Sequence, residues 1–527
     1  MSLAFVLVFV ATIVFGFTFQ LMQLDLLRIY WNDVCRHGDG PPAPPLPETL
    51  PTVTIQLPMY NESAVAERIL DAVVRIVYPR DRLQIQVLDD STDHCSRILD
   101  RKLAEIRRDH PDLAIEYRHR TDRTGFKAGN LNSGLPEARG ELIAMFDADF
   151  VPSPDFLVRT IPYFADPAVC TVQSRWGHLN ADDSLATRAQ EMFLDGHHTV
   201  EQRGRSAGNL FLIFNGSAGV WRAGVLRELG GWCTQTTTED LIMSCAAQLR
   251  GYRIQFVEDC VTPGELPNSI IGVRLQMFRW FKGGAQASLR FLGPVLRQKT
   301  SLRRRLHAAM LLLAPFTIFS TLLNVLLSGL LPLILHFSPE ARALMPLTWI
   351  GAAWFPLMLV IYGSARVRFD DGPLLKRLLS VVPRTLTLLA MTAGLSCQCS
   401  VAVWEGLLGC RNQWVVTPKG FSMGAAGVPS QKRSKVKFPW YFWLDALVMG
   451  YLVASMAVAV IFSAYQLVAI LSVWLAGYVW FFGGALVEAY WPASSTRGTG
   501  NVASPLETVP TLAPPASHLS TARLHAD

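Results

Sequence analysis

Five apolar segments limit what this chain can fold into more than any other feature. They cover residues 2–24, 310–337, 346–363, 441–462 and 467–487. About 20 apolar residues cross a bilayer as a helix, because a helix satisfies its own backbone hydrogen bonds. The mean hydropathy of +0.26 and the 50% of hydrophobic residues also indicate partial exposure to lipid. We therefore predict a multi-pass integral membrane protein.

Basic residues around these segments predict their orientation. Arg28 and Arg36 follow the first segment, and lysines and arginines flank residues 378–410 on both sides. Cytoplasmic margins are enriched in such residues, so we place the N-terminus outside and the C-terminus in the cytoplasm. The stretch 378–410 offers about 33 residues, too few for two crossings. We expect it to be interfacial or re-entrant, and whether it crosses the membrane is left open.

Charge and cysteine usage exclude other classes of protein. The 48 basic and 42 acidic residues give a net charge of +6, too small to suggest nucleic-acid binding. Nine cysteines occur without a C-x-x-C pair, which favours free thiols over a zinc site or disulfides.

The region between the first and second apolar segments alternates between strand-like and helix-like patterns. Strand-like runs at 52–57, 84–88, 114–117 and 142–146 enclose amphipathic stretches. This alternation predicts an α/β domain with a mostly parallel sheet and helices on both faces, which binds ligands at the carboxyl ends of its strands. The predicted order is a span (1–24), a Pro-rich linker (25–51), the α/β domain with interfacial helices (52–300), a membrane hairpin (301–363), an interfacial helix and loop (364–440), a second hairpin (441–490) and a disordered tail (491–527).

Two aspartates directly follow the fourth strand-like run. Asp147 and Asp149 alternate along the chain, so both side chains can point to one side. Two such carboxylates repel unless a divalent cation joins them, and a cation there can also bind a diphosphate. An ordinary acidic turn is the alternative reading.

A second acidic pair precedes an apolar helix. Glu239 and Asp240 follow Thr238, and a carboxylate here can take a proton from an acceptor hydroxyl. Helix capping and interaction with the helix dipole are the alternative explanation.

Three residues share one face of a later predicted helix. Gln276, Arg279 and Trp280 stand at i, i+3 and i+4. Arg279 offers a permanent planar charge for a diphosphate, and Trp280 offers a platform for a sugar ring. An aromatic-basic anchor at a membrane surface is the alternative.

This ordered set resembles the family 2 inverting glycosyltransferases, specifically the membrane-embedded cellulose-synthase-like synthases and their mannan and glucomannan branch. The resemblance covers about residues 52–440 and implies a GT-A fold. It implies that Asp240 is the general base, with Glu239 beside it, and that Asp147 and Asp149 hold Mg²⁺ or Mn²⁺. The donor-binding positions that it implies are Tyr60, Glu62, Asp89, Asp90, Lys127, Asp147 and Arg279.

The same resemblance implies acceptor and gating positions. Gln276, Trp280 and Ser217 match acceptor-binding residues. The run from Trp414 to Lys419 matches a gating loop, with Trp414, Thr417 and Lys419 as its key residues, although Trp replaces the usual Phe. No cyclic-dinucleotide sensor domain is expected.

We accordingly expect an inverting, processive enzyme that polymerises a β-linked glucan or mannan. UDP-glucose is the first expected donor and GDP-mannose the second. A glycan acceptor, membrane lipids and accessory export subunits are the expected partners, in a bacterial inner membrane with the catalytic domain in the cytoplasm. A non-processive glycolipid-forming transferase and an inactive channel or scaffold homologue are the alternatives.

Overall fold

The computed structural model describes residues 2–38, 40, 42–337, 354–370, 372–410 and 438–491. The predicted gating residues Trp414, Thr417 and Lys419 lie outside this part of the chain. The predicted tail does so as well, apart from its first residue.

A seven-stranded mixed sheet is formed by residues between Val53 and Gly264. Its spatial order is β3-β2-β1-β4-β6-β5-β7. All neighbouring strands are parallel except β6, which runs antiparallel to both β4 and β5. The predicted mostly parallel sheet is thus confirmed. Its strands are β1 (Val53–Met59), β2 (Leu83–Asp89), β3 (Ala114–His119), β4 (Leu142–Met145), β5 (Val169–His178), β6 (Gly219–Arg222) and β7 (Arg253–Gly264).

The neighbouring strands β1 and β2 are buried along their full length, as expected for a parallel sheet covered on both faces. Their buried polar side chains bond each other across the ladder. Thr54 Oγ1 donates to Gln84 Oε1 at 2.7 Å, and Gln56 Nε2 donates to Gln86 Oε1 at 3.0 Å. These bonds offset the cost of burying polar groups and favour this one register.

Helices cover both faces of this sheet, as predicted. Ile69 and Leu99 pack with one side of the strands, whereas Leu131 and Trp232 belong to the core on the other side. The helices are α2 (Ala66–Val74), α3 (Cys95–Asp109), α4 (Phe126–Gly134), α5 (Phe156–Thr160), α6 (Leu185–Gly196), α7 (Gly204–Ala207), α8 (Ala223–Glu228) and α9 (Glu239–Leu249).

Most of the remaining helices are longer. Within the described residues, four helical segments are long and apolar enough to cross a membrane, namely Leu302–Ile334, Leu374–Leu407, Trp440–Ile461 and Tyr465–Tyr490. The helices themselves are α1 (Ser2–His37), α10 (Ile270–Arg297), α11 (Leu302–Leu313), α12 (Thr317–Phe337), α13 (Trp354–Phe369), α14 (Leu374–Leu407), α15 (Leu444–Ile461), α16 (Tyr465–Tyr478) and α17 (Gly484–Tyr490).

Two of these helices differ from the sequence-based expectation. The first helix ends at His37, well beyond the predicted span 2–24, because Leu26 and Tyr30 are buried in a cluster with Val200 and Ile361. The predicted interfacial stretch 378–410 lies almost wholly in the unbroken α14, in which Leu388, Met391 and Leu395 are buried. Its position relative to the bilayer, like the domain boundaries, stays a prediction.

Candidate active site

A cleft opens where β1, β2 and β4 end, the edge at which parallel sheets bind ligands. Its cavity volume is about 180 Å³. Most of the predicted site residues line it: Tyr60, Glu62, Asp90, Lys127, Asp147, Asp149, Glu239, Asp240, Gln276, Arg279 and Trp280.

Asp90 lies in the cleft, whereas the adjacent Asp89 lies in the core. Asp90 lines the cleft and accepts two hydrogen bonds from the Arg120 guanidinium, at 2.8 and 2.6 Å. Such a bidentate pair holds the carboxylate plane in one orientation. Asp90 is therefore a fixed acceptor at the end of β2.

Asp89 is fully buried and lies outside the cleft lining. Its carboxylate accepts hydrogen bonds from the Ser96 hydroxyl (2.7 Å) and the Tyr117 hydroxyl (2.8 Å). Adjacent side chains on a strand face opposite sides, so only one of the two aspartates can reach the ligand edge. The position differs from the donor-contacting one that the resemblance implied, and Asp89 instead joins β2 to α3 and β3.

The Tyr60 ring lies against the Arg123 side chain, a residue that the sequence did not indicate as part of the site. The guanidinium carbon of Arg123 lies 3.2 Å from the centroid of the Tyr60 ring, and both residues line the cleft. The pair forms a flat, positively charged wall beside Asp90.

Lys127 joins the two acidic pairs of the site. Its ammonium lies 2.5 Å from Asp147 Oδ1, 4.0 Å from Glu239 Oε1 and 2.8 Å from the Gly216 carbonyl. Burial alone depresses the pKa of Lys127, but Asp147 and Glu239 outweigh that effect and raise it above its ordinary value. Lys127 therefore stays charged among the carboxylates.

Ser217 lies beneath Asp147 and not on the cleft wall. Its fully buried hydroxyl accepts a hydrogen bond from the Asp147 amide at 2.9 Å. The preceding Gly216 has φ +84°, and a Cβ there would lie 2.8 Å from Asp240 Oδ2. Glycine thus allows this loop to approach Asp240, while Ser217 departs from the acceptor-contacting position that we expected.

Asp147 and Asp149 offer carboxylate oxygens suited to a hard divalent cation. Asp149 is 2% exposed, and its carbonyl accepts a hydrogen bond from Arg68 at 3.2 Å. Among the described residues, no group of three or more acids, histidines or cysteines forms a complete cation site. The residues fit a cation held by one or two carboxylates and completed by substrate phosphates, as Mg²⁺ sites often are.

The second acidic pair lies in the first turn of α9. Thr238 occupies the capping position without a side-chain capping bond, and the Asp240 carboxylate accepts a hydrogen bond from the Leu241 amide at 2.8 Å in the first turn. Burial, and then the adjacent Glu239, raise the pKa of Asp240 to about 7. Burial also raises the pKa of Glu239. A carboxylate that titrates near neutral pH is suited to accepting a proton.

Helix α10 closes the cleft with Gln276, Arg279 and Trp280, as their spacing predicted. Burial lowers the pKa of Arg279, and Glu239 opposes this effect most strongly. The helix approaches closely because residue 283 is glycine: a Cβ there would lie 2.3 Å from Thr238 Oγ1.

Two further cleft residues come from the end of β5. Trp176 donates from Nε1 to the Ser217 carbonyl at 3.2 Å, and its ring contacts Phe150 edge-on at 5.1 Å. His178 Nε2 lies 3.3 Å from Asp195. Sequence reasoning missed both because no strand was predicted there, and polar residues interrupt the run 173–178.

Residues 51–283 match the family described as "Glycosyltransferase like family 2". Glucomannan 4-beta-mannosyltransferase 1 from Oryza sativa subsp. japonica is 35% identical over 401 residues, which cover 73% of each chain. This chain belongs to the cellulose-synthase-like family 2 glycosyltransferases. Glucomannan 4-beta-mannosyltransferase 7 from Arabidopsis thaliana is 41% identical over 253 residues, 47% of this chain and 45% of that one. A Pyrobaculum calidifontis mannosyltransferase, solved with GDP-Man and Mn²⁺, is 21% identical with a TM-score of 0.48 and covers 75% of this chain and 100% of that one.

The relatives confirm some sequence-based predictions for this glycosyltransferase and leave others without support. The predicted family, the GT-A-type fold and the transferase class are confirmed. The predicted β-glycan synthase agrees with the relatives' names, whereas the glycolipid alternative gains no support. The expected UDP-glucose donor gains none either, since those names specify mannosyl transfer. The membrane prediction agrees with the four apolar segments. The two glucomannan mannosyltransferases are plant proteins, so they do not support a bacterial membrane.

Proposed function

We propose that this glycosyltransferase transfers mannosyl groups from GDP-mannose onto a growing β-linked mannan or glucomannan chain at a membrane surface. The single observation that carries the proposal is the convergence of Lys127, Asp147, Glu239, Asp240 and Arg279 in one cleft at the strand ends. The mannosyl donor is favoured over UDP-glucose because the relatives are named as mannosyltransferases.

Donor binding in this proposal uses the β1–β2 side of the cleft. The cationic wall of Arg123 on Tyr60 faces the base, and Asp90, oriented by Arg120, accepts hydrogen bonds from the base or ribose. Lys127 and Arg279 supply positive charge for the diphosphate. Asp147 and Asp149 would hold a Mg²⁺ or Mn²⁺ ion, which neutralises the leaving diphosphate when bound.

Transfer is then a single displacement. Asp240 takes the proton of the acceptor hydroxyl as that oxygen attacks the anomeric carbon, and the bond from that carbon to the diphosphate breaks on the opposite side. Inversion converts an α-linked donor into a β-linkage, and GDP leaves with the electron pair. General-base assistance of this kind contributes about 10²–10⁴-fold to the rate.

Acceptor binding is assigned to the aromatic side of the cleft. Trp280 on α10 and Trp176 on β5 both line it, and aromatic faces stack against sugar rings. A cytoplasmic catalytic domain, a bacterial plasma membrane, successive additions without release and accessory export subunits remain parts of the proposal.

The test uses the purified full chain in lipid nanodiscs. GDP-mannose, UDP-glucose and GDP-glucose are supplied in parallel, and the product is analysed for length and linkage. Incorporation of mannose into an insoluble β-linked glycan supports the proposal. Transfer only from UDP-glucose, or an organic-soluble glycolipid product, contradicts it. Arg279→Ala is expected to lose nearly all activity, whereas Arg290→Ala, a variant on the same helix outside the cleft lining, keeps it.

A further inference from the structure

Helix α10 is held at three points by carboxylates from three different candidate membrane segments. Asp445 lies in the segment Trp440–Ile461, Glu405 in Leu374–Leu407 and Glu488 in Tyr465–Tyr490. An acidic group in a membrane-spanning segment is costly unless it is paired, so each such group calls for a function and a partner. In all three cases the partner is on α10.

The first of these three contacts is a buried ion pair. Arg274 Nη2 lies 2.8 Å from Asp445 Oδ2, with the side chains 7% and 0% exposed. The Arg274 guanidinium also lies 4.9 Å from the Phe442 ring centroid, and the Arg274 carbonyl accepts from Gln398 Nε2 at 2.8 Å. Removing one charge of such a pair leaves the other buried without compensation, so the pair strongly restricts where α10 can lie.

The second contact is an ion pair further along the helix. Lys282 Nζ is 2.9 Å from Glu405 Oε2, and the two side chains are 4% and 23% exposed. Residues 274 and 282 are about 12 Å apart along a helix. Gln276, Arg279 and Trp280 therefore stand between two fixed points.

The third contact is a pair of hydrogen bonds at the start of α10. The Glu488 carboxylate accepts from the backbone amides of Ile270 (2.6 Å) and Ile271 (3.0 Å). The first amides of a helix have no partner within it, and a carboxylate there also interacts favourably with the helix dipole. Glu488 thus anchors the N-terminal end of α10 to α17, the last described helix.

We propose that Asp445, Glu405 and Glu488 are positioning residues, through which the membrane helices hold Arg279 and Trp280 in register with Asp240. None of the three carboxylates lines the cleft, so they act through α10 and not on substrate. This inference rests on the proposed role of α10 in mannosyl transfer. It assigns the membrane helices a direct part in setting the geometry of the reacting groups.

The experiment compares Asp445→Asn, Glu405→Gln and Glu488→Gln with the parent chain in nanodiscs. Transfer kinetics and hydrogen exchange of residues 270–283 are both measured. A displacement of about 1 Å at reacting groups costs about 10²-fold in rate. We therefore expect kcat to fall by about 10- to 100-fold. The KM for GDP-mannose should change by a smaller factor than kcat, because Arg279 is the proposed donor contact on α10, whereas Lys127 and Asp147 lie on other elements. Amide exchange in α10 should rise, while exchange in β1 and β2 stays unchanged.

Asp370→Asn is the matched control. Asp370 pairs with Arg366 at 2.7 Å, and the two side chains are 25% and 4% exposed, nearly the values of the Glu405–Lys282 pair. Arg366 also keeps Glu191 at 2.7 Å. The ion pairs of Arg366 join α13 to Asp370 and to Glu191 on α6, and neither partner is on α10. We therefore expect kcat and α10 exchange to match the parent.

The inference is overturned if the three variants have the same kcat and the same amide exchange in α10 as the parent chain. If Asp445→Asn fails to give monodisperse protein, Glu488→Gln decides, since Glu488 is only half-buried. Arg279→Ala separates the two proposals. If Arg279→Ala is inactive while the three carboxylate variants are fully active, only the positioning role is rejected. If Arg279→Ala is active, the proposed function itself is rejected.

Discussion

Replacing Asp240 with asparagine should abolish transfer and, at alkaline pH, stabilise the fold. Asparagine has nearly the same shape and can still accept the Leu241 amide hydrogen bond, which is 2.8 Å long in the parent. It removes the charge that burial and Glu239 disfavour. A residue selected for proton transfer at some cost in stability should respond in this way.

The raised pKa of Asp240 sets the magnitude of the effect. The pKa lies at about 7 in the folded chain, against an ordinary value of 3.8. Because the folded state binds the proton more tightly, stability is lost as pH rises from the unfolded pKa towards the folded one. The loss is at most about 4 kcal/mol at pH 8 and about 2 kcal/mol at pH 5.5. Asparagine avoids it at both pH values.

The assay is thermal unfolding of parent and variant in the same detergent at pH 5.5 and pH 8. An increase of about 4 kcal/mol in the free energy of unfolding corresponds to an increase of about 4–8 °C in apparent Tm, depending on how much of the chain unfolds together. The gain should be larger at pH 8. Asp112→Asn, at a side chain that is 62% exposed, is the control and should show no pH-dependent gain.

Two results would refute this reasoning. Substantial transfer activity in Asp240→Asn would remove Asp240 as the general base. A Tm gain that is absent, or that is equal at the two pH values, would show that Asp240 is not a carboxylate destabilised by burial and by its neighbour.

Three further predictions concern the same cleft. In the parent, kcat/KM should rise with pH through an ascending limb near 7, because Asp240 must be ionised to accept a proton; a flat profile between pH 5.5 and 8 would contradict this. Gly283→Ala should lower transfer more than about tenfold, since the new Cβ would lie 2.3 Å from Thr238 Oγ1, whereas Gly293→Ala on the same helix, with its nearest neighbour at 3.8 Å, should be close to neutral. Chelation by EDTA should stop transfer and added Mn²⁺ or Mg²⁺ should restore it, and full activity after exhaustive chelation would remove Asp147 and Asp149 as cation ligands.

Most elements of the α/β fold could be predicted from the sequence because their signals are local. The four predicted strand runs correspond to β1 to β4. Asp90 after β2 and Asp147 and Asp149 after β4 line the cleft, whereas Asp89 does not. The face shared by Gln276, Arg279 and Trp280 also follows from helical periodicity alone. By contrast, β5 was not predicted, and Trp176 and His178 were missed with it.

The sequence by itself determined the alternation of strands and helices, the apolar lengths suited to a membrane and the residue types available for chemistry, because each depends on neighbours a few positions away. Only the tertiary structure decided which of those residues meet. It turned Asp90 into the cleft and Asp89 into the core, and it brought Lys127 to Asp147 and Asp445 to Arg274. Such pairings join segments far apart in the chain, and they depend on how whole helices and strands pack and on which buried charges then find a partner.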